Sequence, residues 1–140
     1  MFVSAGDSGV DTCDLGTPNI NELSADPLVT SVGGTEFDPQ LDNEGNDVGF
    51  VPEAAWNQVT PQTAGQNETT GGGQSQVFSK PSYQFGPSVP ADGVRDIPDI
   101  AMVGGPPAVL IIMDQDNADG TTSDVVTPNV VVGTSLSAPL

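Results

Sequence analysis

The chain has 140 residues, with 19 Asp and Glu set against one lysine, one arginine and no histidine, for a net charge of −17. Such a surface repels phosphates and anionic headgroups, which excludes nucleic acid and anionic membrane as partners. The length suits one modest domain with a core of its own. The Val, Ile, Gly and Pro content separates it from a disordered acidic tail, and a lone Cys13 excludes an internal disulfide and a Cys/His zinc set.

The acidic residues are spread along the chain, as on a solvated surface. Carboxylates lose their mutual repulsion as pH falls to about 4, so an acidic or salt-rich setting is compatible with this composition, and so is simple solubility. Cys13 is expected as a small, partly buried apolar side chain. The sequon Asn67-Glu68-Thr69 is a glycan acceptor only in a eukaryotic secretory pathway.

The first predicted element is a short buried strand over residues 2 to 5, ending in the turn Gly6-Asp7-Ser8-Gly9. Residues 10 to 27 are polar and turn-rich, with room for one short helix around residues 20 to 25. Residues 28 to 32 read as a strand closed by Gly33-Gly34-Thr35, and residues 48 to 56 hold a further extended piece. Residues 58 to 73, rich in Gln, Thr, Asn and Gly, read as a loop.

Val77-Phe78 and Lys80-Pro81-Ser82-Tyr83-Gln84 read as an ordered connector, since proline restrains both itself and its predecessor. Asp99, close to Arg95, is expected to pair with it, and Trp56 and Tyr83 to serve as packing or pocket-wall residues. Residues 98 to 103 lead to the most apolar run, 108 to 113, a predicted core strand. Residues 114 to 124 form a polar tip, and 125 to 126 with 130 to 132 return as strand, so 108 to 133 read as a hairpin that delivers Ser135. No 3.6-residue periodicity is sustained anywhere, so helices are expected to come from outside this sequence.

Gly133-Thr134-Ser135-Leu136-Ser137-Ala138-Pro139 reads as a serine nucleophile at a strand-to-helix junction. A serine hydroxyl needs a base to take its proton. With no histidine in the chain, a base from within it must be a carboxylate. Glu22 and Asp26 have the spacing of a helical pair, which we read as coincidence because Asp26 precedes Pro27. Asp114, Asp116, Asn117, Asp119 and Gly120 suggest calcium, but the fifth position counted from Asp114 is Ala118, so a solvated turn is the better reading.

In order, Ser4-Ala5-Gly6-Asp7-Ser8-Gly9, Val32-Gly33-Gly34-Thr35, Ala55-Trp56-Asn57, Thr70-Gly71-Gly72-Gly73, Lys80-Pro81-Ser82-Tyr83-Gln84, Ile97-Pro98-Asp99 and Gly133-Thr134-Ser135 resemble the sedolisin family of serine-carboxyl peptidases. The resemblance implies an α/β fold, a subtilisin-like parallel sheet flanked by helices, here an incomplete portion rich in strands and loops. It implies that residues 1 to 140 are the central to C-terminal part of a peptidase catalytic domain, truncated at both ends, with no signal peptide or membrane span in this stretch. The activity implied is a secreted endopeptidase cutting protein or peptide substrates at acidic pH.

By the same resemblance Ser135 is the nucleophile and Asp7 the oxyanion-hole residue. Asp7 can serve so only when protonated, since an ionised carboxylate repels the oxyanion. Gly71, Gly72 and Gly73 are expected to line the substrate path, where absent side chains let a peptide backbone approach. The family's Glu and Asp, four apart on a helix, precede the Gly-Asp-Ser-Gly turn and its calcium site follows the nucleophile helix. This stretch is therefore expected to hold neither a base nor a metal site, to need the remainder of the domain, and to be inactive alone. Two other readings stay open: a non-catalytic acidic β-rich extracellular binding module, and a subtilisin-type Ser-His-Asp fragment. Asp7 favours sedolisin over the latter, whose pattern has Asn in that role.

Overall fold

The structure is a computed structural model, and it describes all residues except 14, 50, 59 to 68, 107 to 110 and 128 to 130. The sequon's Asn67 and Glu68 and the start of the apolar run at 108 lie outside the described residues. The central sheet has four strands, β1 (Phe2–Ser4), β2 (Thr30–Phe37), β3 (Glu53–Ala55) and β6 (Ile100–Val103). β2 runs parallel to β1 on one side (Val3↔Ser31) and parallel to β6 on the other (Gly33↔Ala101), while β3 joins antiparallel farther along (Glu36↔Ala54). Two antiparallel pairs stand apart from it, β4 (Gly73–Ser79) with β5 (Val94–Ile97), and β7 (Ile111–Asp116) with β8 (Thr122–Thr127). One helical turn, α1 (Thr134–Ser137), packs on β1, β2 and β6.

β2 continues through the glycines expected to end it, because its neighbours come too close for side chains. A Cβ on Gly33 would meet the Pro98 ring at 2.7 Å, and one on Gly34 would meet the Trp56 indole at 3.1 Å. Trp56 is fully buried, and its carbonyl accepts the Thr70 N–H at 2.9 Å. Ala5, Ile20, Ala25 and Ile97 form a core cluster, with Phe78 against it. A cavity of about 240 Å³ between α1 and the sheet is lined by Phe2, Val32, Ile100, Met102 and residues 137 to 140.

Several expectations need correction. Residues 22 to 25 are hydrogen-bonded turns in place of a helix. Val77 and Phe78 belong to β4, not to a connector. The described part of the apolar run, from Ile111, forms the first arm of the expected hairpin, β7 with β8, in a two-stranded sheet of its own. The return arm is described as Thr122–Thr127, Val130 lies outside the described residues, and Val131 and Val132 are not strand. Cys13 is exposed and not partly buried, its segment held outward by the Cys13 N–H to Asn19 Oδ1 bond of 2.8 Å. The hairpin tip is a turn as expected, with Gly120 at φ +81° and Asp119 Oδ1 accepting from both Thr121 N–H and Oγ1.

Both side-chain cations are committed to one region. Lys80 bridges Asp92 and Asp96, and the Gln84 amide brackets the Asp96 backbone, donating to its carbonyl at 2.6 Å and accepting its N–H at 3.0 Å. Arg95, 0% exposed, grips Asp99 with both terminal nitrogens at 2.5 and 2.6 Å and sits 5.6 Å over the Tyr83 ring. Asp99 Oδ2 also accepts the Ser31 N–H at 2.8 Å, so this ion pair secures the start of β2. Burial opposes ionisation of Asp99, but the Arg95 guanidinium and the Ser31 N–H outweigh it and hold the carboxyl below its ordinary 3.8. The native state then binds fewer protons than the unfolded chain. This contribution is complete above pH 3.8 and is lost as pH falls through the lower native value.

Removing one partner of a buried pair strands the other charge, so Arg95→Met should cost about 3 kcal/mol or more at pH 7. Urea unfolding of both proteins across pH tests this. The gap between them should narrow as pH falls, because the stranded Asp99 of the variant takes up a proton before the paired Asp99 of the parent does, and a gap independent of pH would contradict the assignment.

Candidate active site

The site forms at the carboxyl ends of β1 and β6, the end of parallel strands where open α/β sheets bind ligands. β1 runs directly into Gly6-Asp7-Ser8-Gly9. This turn is held from outside by Thr69 N–H to the Asp7 carbonyl at 3.1 Å and Gly71 N–H to the Gly6 carbonyl at 2.6 Å. From inside it is held by α1. The Gly6 N–H donates to Thr134 Oγ1 at 3.0 Å, while Asp7 Oδ1 accepts the Thr134 N–H at 2.6 Å and the Thr134 hydroxyl at 2.7 Å. Thr134 is 1% exposed.

Gly133 lies between the two predicted catalytic side chains. Its φ is +128°, and a Cβ there would meet Asp7 Oδ2 at 2.9 Å and Ser135 Oγ at 3.2 Å. Asp7 Oδ2 and Ser135 Oγ therefore border one small space that only glycine leaves open. Gly133 is anchored by its N–H to the Gly104 carbonyl at 2.6 Å, and α1 by Ser137 Oγ to the Val103 carbonyl at 3.0 Å. Gly104 is itself confined, since a Cβ would meet Ser137 Oγ at 2.6 Å and Gly34 Cα at 2.9 Å. Ser135, the second residue of α1, is exposed, and among the described residues no side chain hydrogen-bonds its hydroxyl.

Ser135 and Asp7, which are 128 positions apart in the sequence, are thus brought together. Gly71 adjoins the Asp7 turn through its N–H to the Gly6 carbonyl, and each of the three glycines has close neighbours of its own. A Cβ on Gly71 would overlap the Ala5 carbonyl, one on Gly72 would meet the Ile97 carbonyl at 3.2 Å, and one on Gly73 would meet Ile20 at 3.1 Å. Gly73 also edges a trough with Val10, Asn19, Gln74 and Val94. Glu22 and Asp26 are in structural use. Glu22 accepts from Ser75 Oγ at 2.6 Å and Gln76 N–H at 2.8 Å, and Asp26 accepts the Leu28 N–H at 2.8 Å. Tyr83 is half exposed, its hydroxyl donating to the Pro27 carbonyl at 3.1 Å. Sequence reasoning passed over Thr134, whose sole signal was its place beside Ser135. Among the described residues no three His, Cys, Asp or Glu are placed to hold a metal ion.

No protein-family model matches the chain. It is 31% identical to tripeptidyl-peptidase sed5 of Aspergillus fumigatus over 147 aligned residues, which take in all of this chain and 24% of that protein. Its fold matches Pseudomonas sedolisin, a serine-carboxyl proteinase solved with two molecules of pseudo-iodotyrostatin, with a TM-score of 0.67 and 30% identity over 99% of this chain and 34% of that one. The chain thus spans about a quarter of the curated relative's length and a third of the solved one. The architecture is α/β and subtilisin-like, strand-rich with few helices. These two matches support reading the chain as a sedolisin-family partial domain.

Gly133→Ala should destabilise the protein through both the positive φ and the contacts. Gly120→Ala, at φ +81° with nothing within 4 Å of its Cβ position, isolates the backbone cost alone, about 1–2 kcal/mol. Chemical denaturation should show the larger loss for Gly133→Ala. Equal losses would mean that the space between Asp7 and Ser135 is not sterically required.

Proposed function

We propose that the chain is the nucleophile-bearing part of a sedolisin-class serine-carboxyl endopeptidase catalytic domain, acting on protein or peptide substrates at acidic pH. The observation that carries this reading is the shared space beside Gly133, bordered by Asp7 Oδ2 and Ser135 Oγ. The relationship to serine-carboxyl peptidases supports it.

Ser135 Oγ attacks the scissile carbonyl carbon, and its proton passes to a carboxylate base. The carbonyl oxygen becomes an oxyanion, stabilised by backbone N–H at the start of α1 and by a proton donated from Asp7. Collapse expels the amine, which takes the proton from the base, and water then hydrolyses the acyl-serine by the reverse sequence. Among the described residues no carboxylate hydrogen-bonds Ser135. The base, a Glu oriented by an Asp according to the family resemblance, is assigned to the longer protein, and so is calcium. The family relationship also supports secretion, and among the described residues no helix is long and apolar enough to cross a membrane. Of the three glycines, Gly73 borders a trough, and we assign Gly71 to Gly73 to the wall along which substrate backbone lies.

The complete catalytic domain containing this segment, assayed on a denatured protein from acid to neutral pH, tests the reading. Hydrolysis should be confined to acid, because an ionised Asp7 repels the oxyanion. Ser135→Ala should abolish it, and Asp7→Ala should lower kcat by about 10²–10³. The 140-residue chain alone should be inactive. Hydrolysis that survives Ser135→Ala would refute the assignment, and a folded but inactive complete domain would favour a binding role.

A further inference from the structure

We propose that Thr134 is a positioning residue of this site, fixing through its hydroxyl which oxygen of Asp7 carries the proton that faces Ser135. The inference rests on the roles proposed above for Ser135 and Asp7 but concerns a residue that those roles do not require.

The argument is one of donors and acceptors. A threonine hydroxyl has a single proton. The Gly6 N–H donates to Thr134 Oγ1 at 3.0 Å, which occupies a lone pair and leaves the hydroxyl proton free to point at Asp7 Oδ1, 2.7 Å away. The Thr134 N–H reaches the same oxygen at 2.6 Å. Oδ1 therefore receives two donated hydrogens, and a proton held by Asp7 itself goes to Oδ2, the oxygen 2.9 Å from the Gly133 Cβ position that Ser135 Oγ also borders. Any residue at 134 supplies the N–H, but the hydroxyl is what ties the Gly6 backbone to the carboxylate. At 1% exposure Thr134 meets little competition from water for these bonds.

Thr134→Val keeps the shape and the N–H but removes the hydroxyl and strands the Gly6 N–H, whereas Thr134→Ser keeps the hydroxyl. In the complete catalytic domain Thr134→Val should lower kcat by about 10- to 100-fold with KM within about twofold, since the loss falls on transition-state stabilisation. Thr134→Ser should stay within about threefold of the parent. A loss confined to KM, equal losses in both variants, or no loss in either overturns the proposal.

A readout that needs no activity accompanies this. Three-bond NMR couplings of Asp7 in the complete catalytic domain should report one χ1 rotamer in the parent and in Thr134→Ser, and averaging in Thr134→Val. A single unchanged rotamer in Thr134→Val overturns positioning even if catalysis falls. If Ser135→Ala retains hydrolysis, the proposed reaction fails, and the Asp7 couplings alone then decide the role of Thr134.

Discussion

Direct contact between backbones, possible only where a side chain is missing, governs this molecule. Gly71 lies on the carbonyls of Ala5 and Gly6, Gly104 lies against Gly34 and Ser137, and Trp56 fills the space over Gly34 and Gly105. Each contact brings a distant stretch of chain to within hydrogen-bonding range of the turn after β1 or of the start of α1. The Gly104 carbonyl then receives the Gly133 N–H, and the Gly6 carbonyl receives the Gly71 N–H. The Asp7 and Ser135 arrangement is thus the product of packing at glycines some distance from either side chain.

The charged interactions act at a second location and complement this. Lys80, Arg95 and Gln84 lock the stretch from 92 to 99, and Asp99 passes that rigidity to the first residues of β2 through the Ser31 N–H. β2 is the strand that both β1 and β6 use as partner. An ion pair remote from the site therefore fixes the spacing of the two strands whose ends carry it.

The turn that carries Asp7 and the junction that carries Ser135 were legible in the sequence, because their signals are local in kind. Gly-Thr-Ser marks a strand-to-helix junction and Gly-Asp-Ser-Gly a turn, and the Arg95–Asp99 pairing follows from their opposite charge and nearness in the chain. What could not be read depends on tertiary contact. Gly33 and Gly34 looked like a strand end because glycine ordinarily is one, and only the arrival of Pro98 and Trp56 makes them strand interior. That Gly71 and Gly72 also meet the carbonyls of residues 5 and 97 could not be read from a run of glycines. Val77-Phe78 looked like a linker because β4 gains its identity from β5, whose partner register is irregular. Val131 and Val132 carry strand propensity without a strand partner.

The two side-chain cations of the chain are both spent on neighbours between residues 92 and 99, leaving the rest of the acidic surface without internal counter-charge in a chain of net charge −17. Such a surface gathers small cations from solution, hydronium among them, within a layer about one Debye length deep. The acidity felt at its surface is therefore greater than that of the bulk, and dissolved salt erases the difference. For this molecule ionic strength and pH are two adjustments of a single variable, the proton activity at its surface.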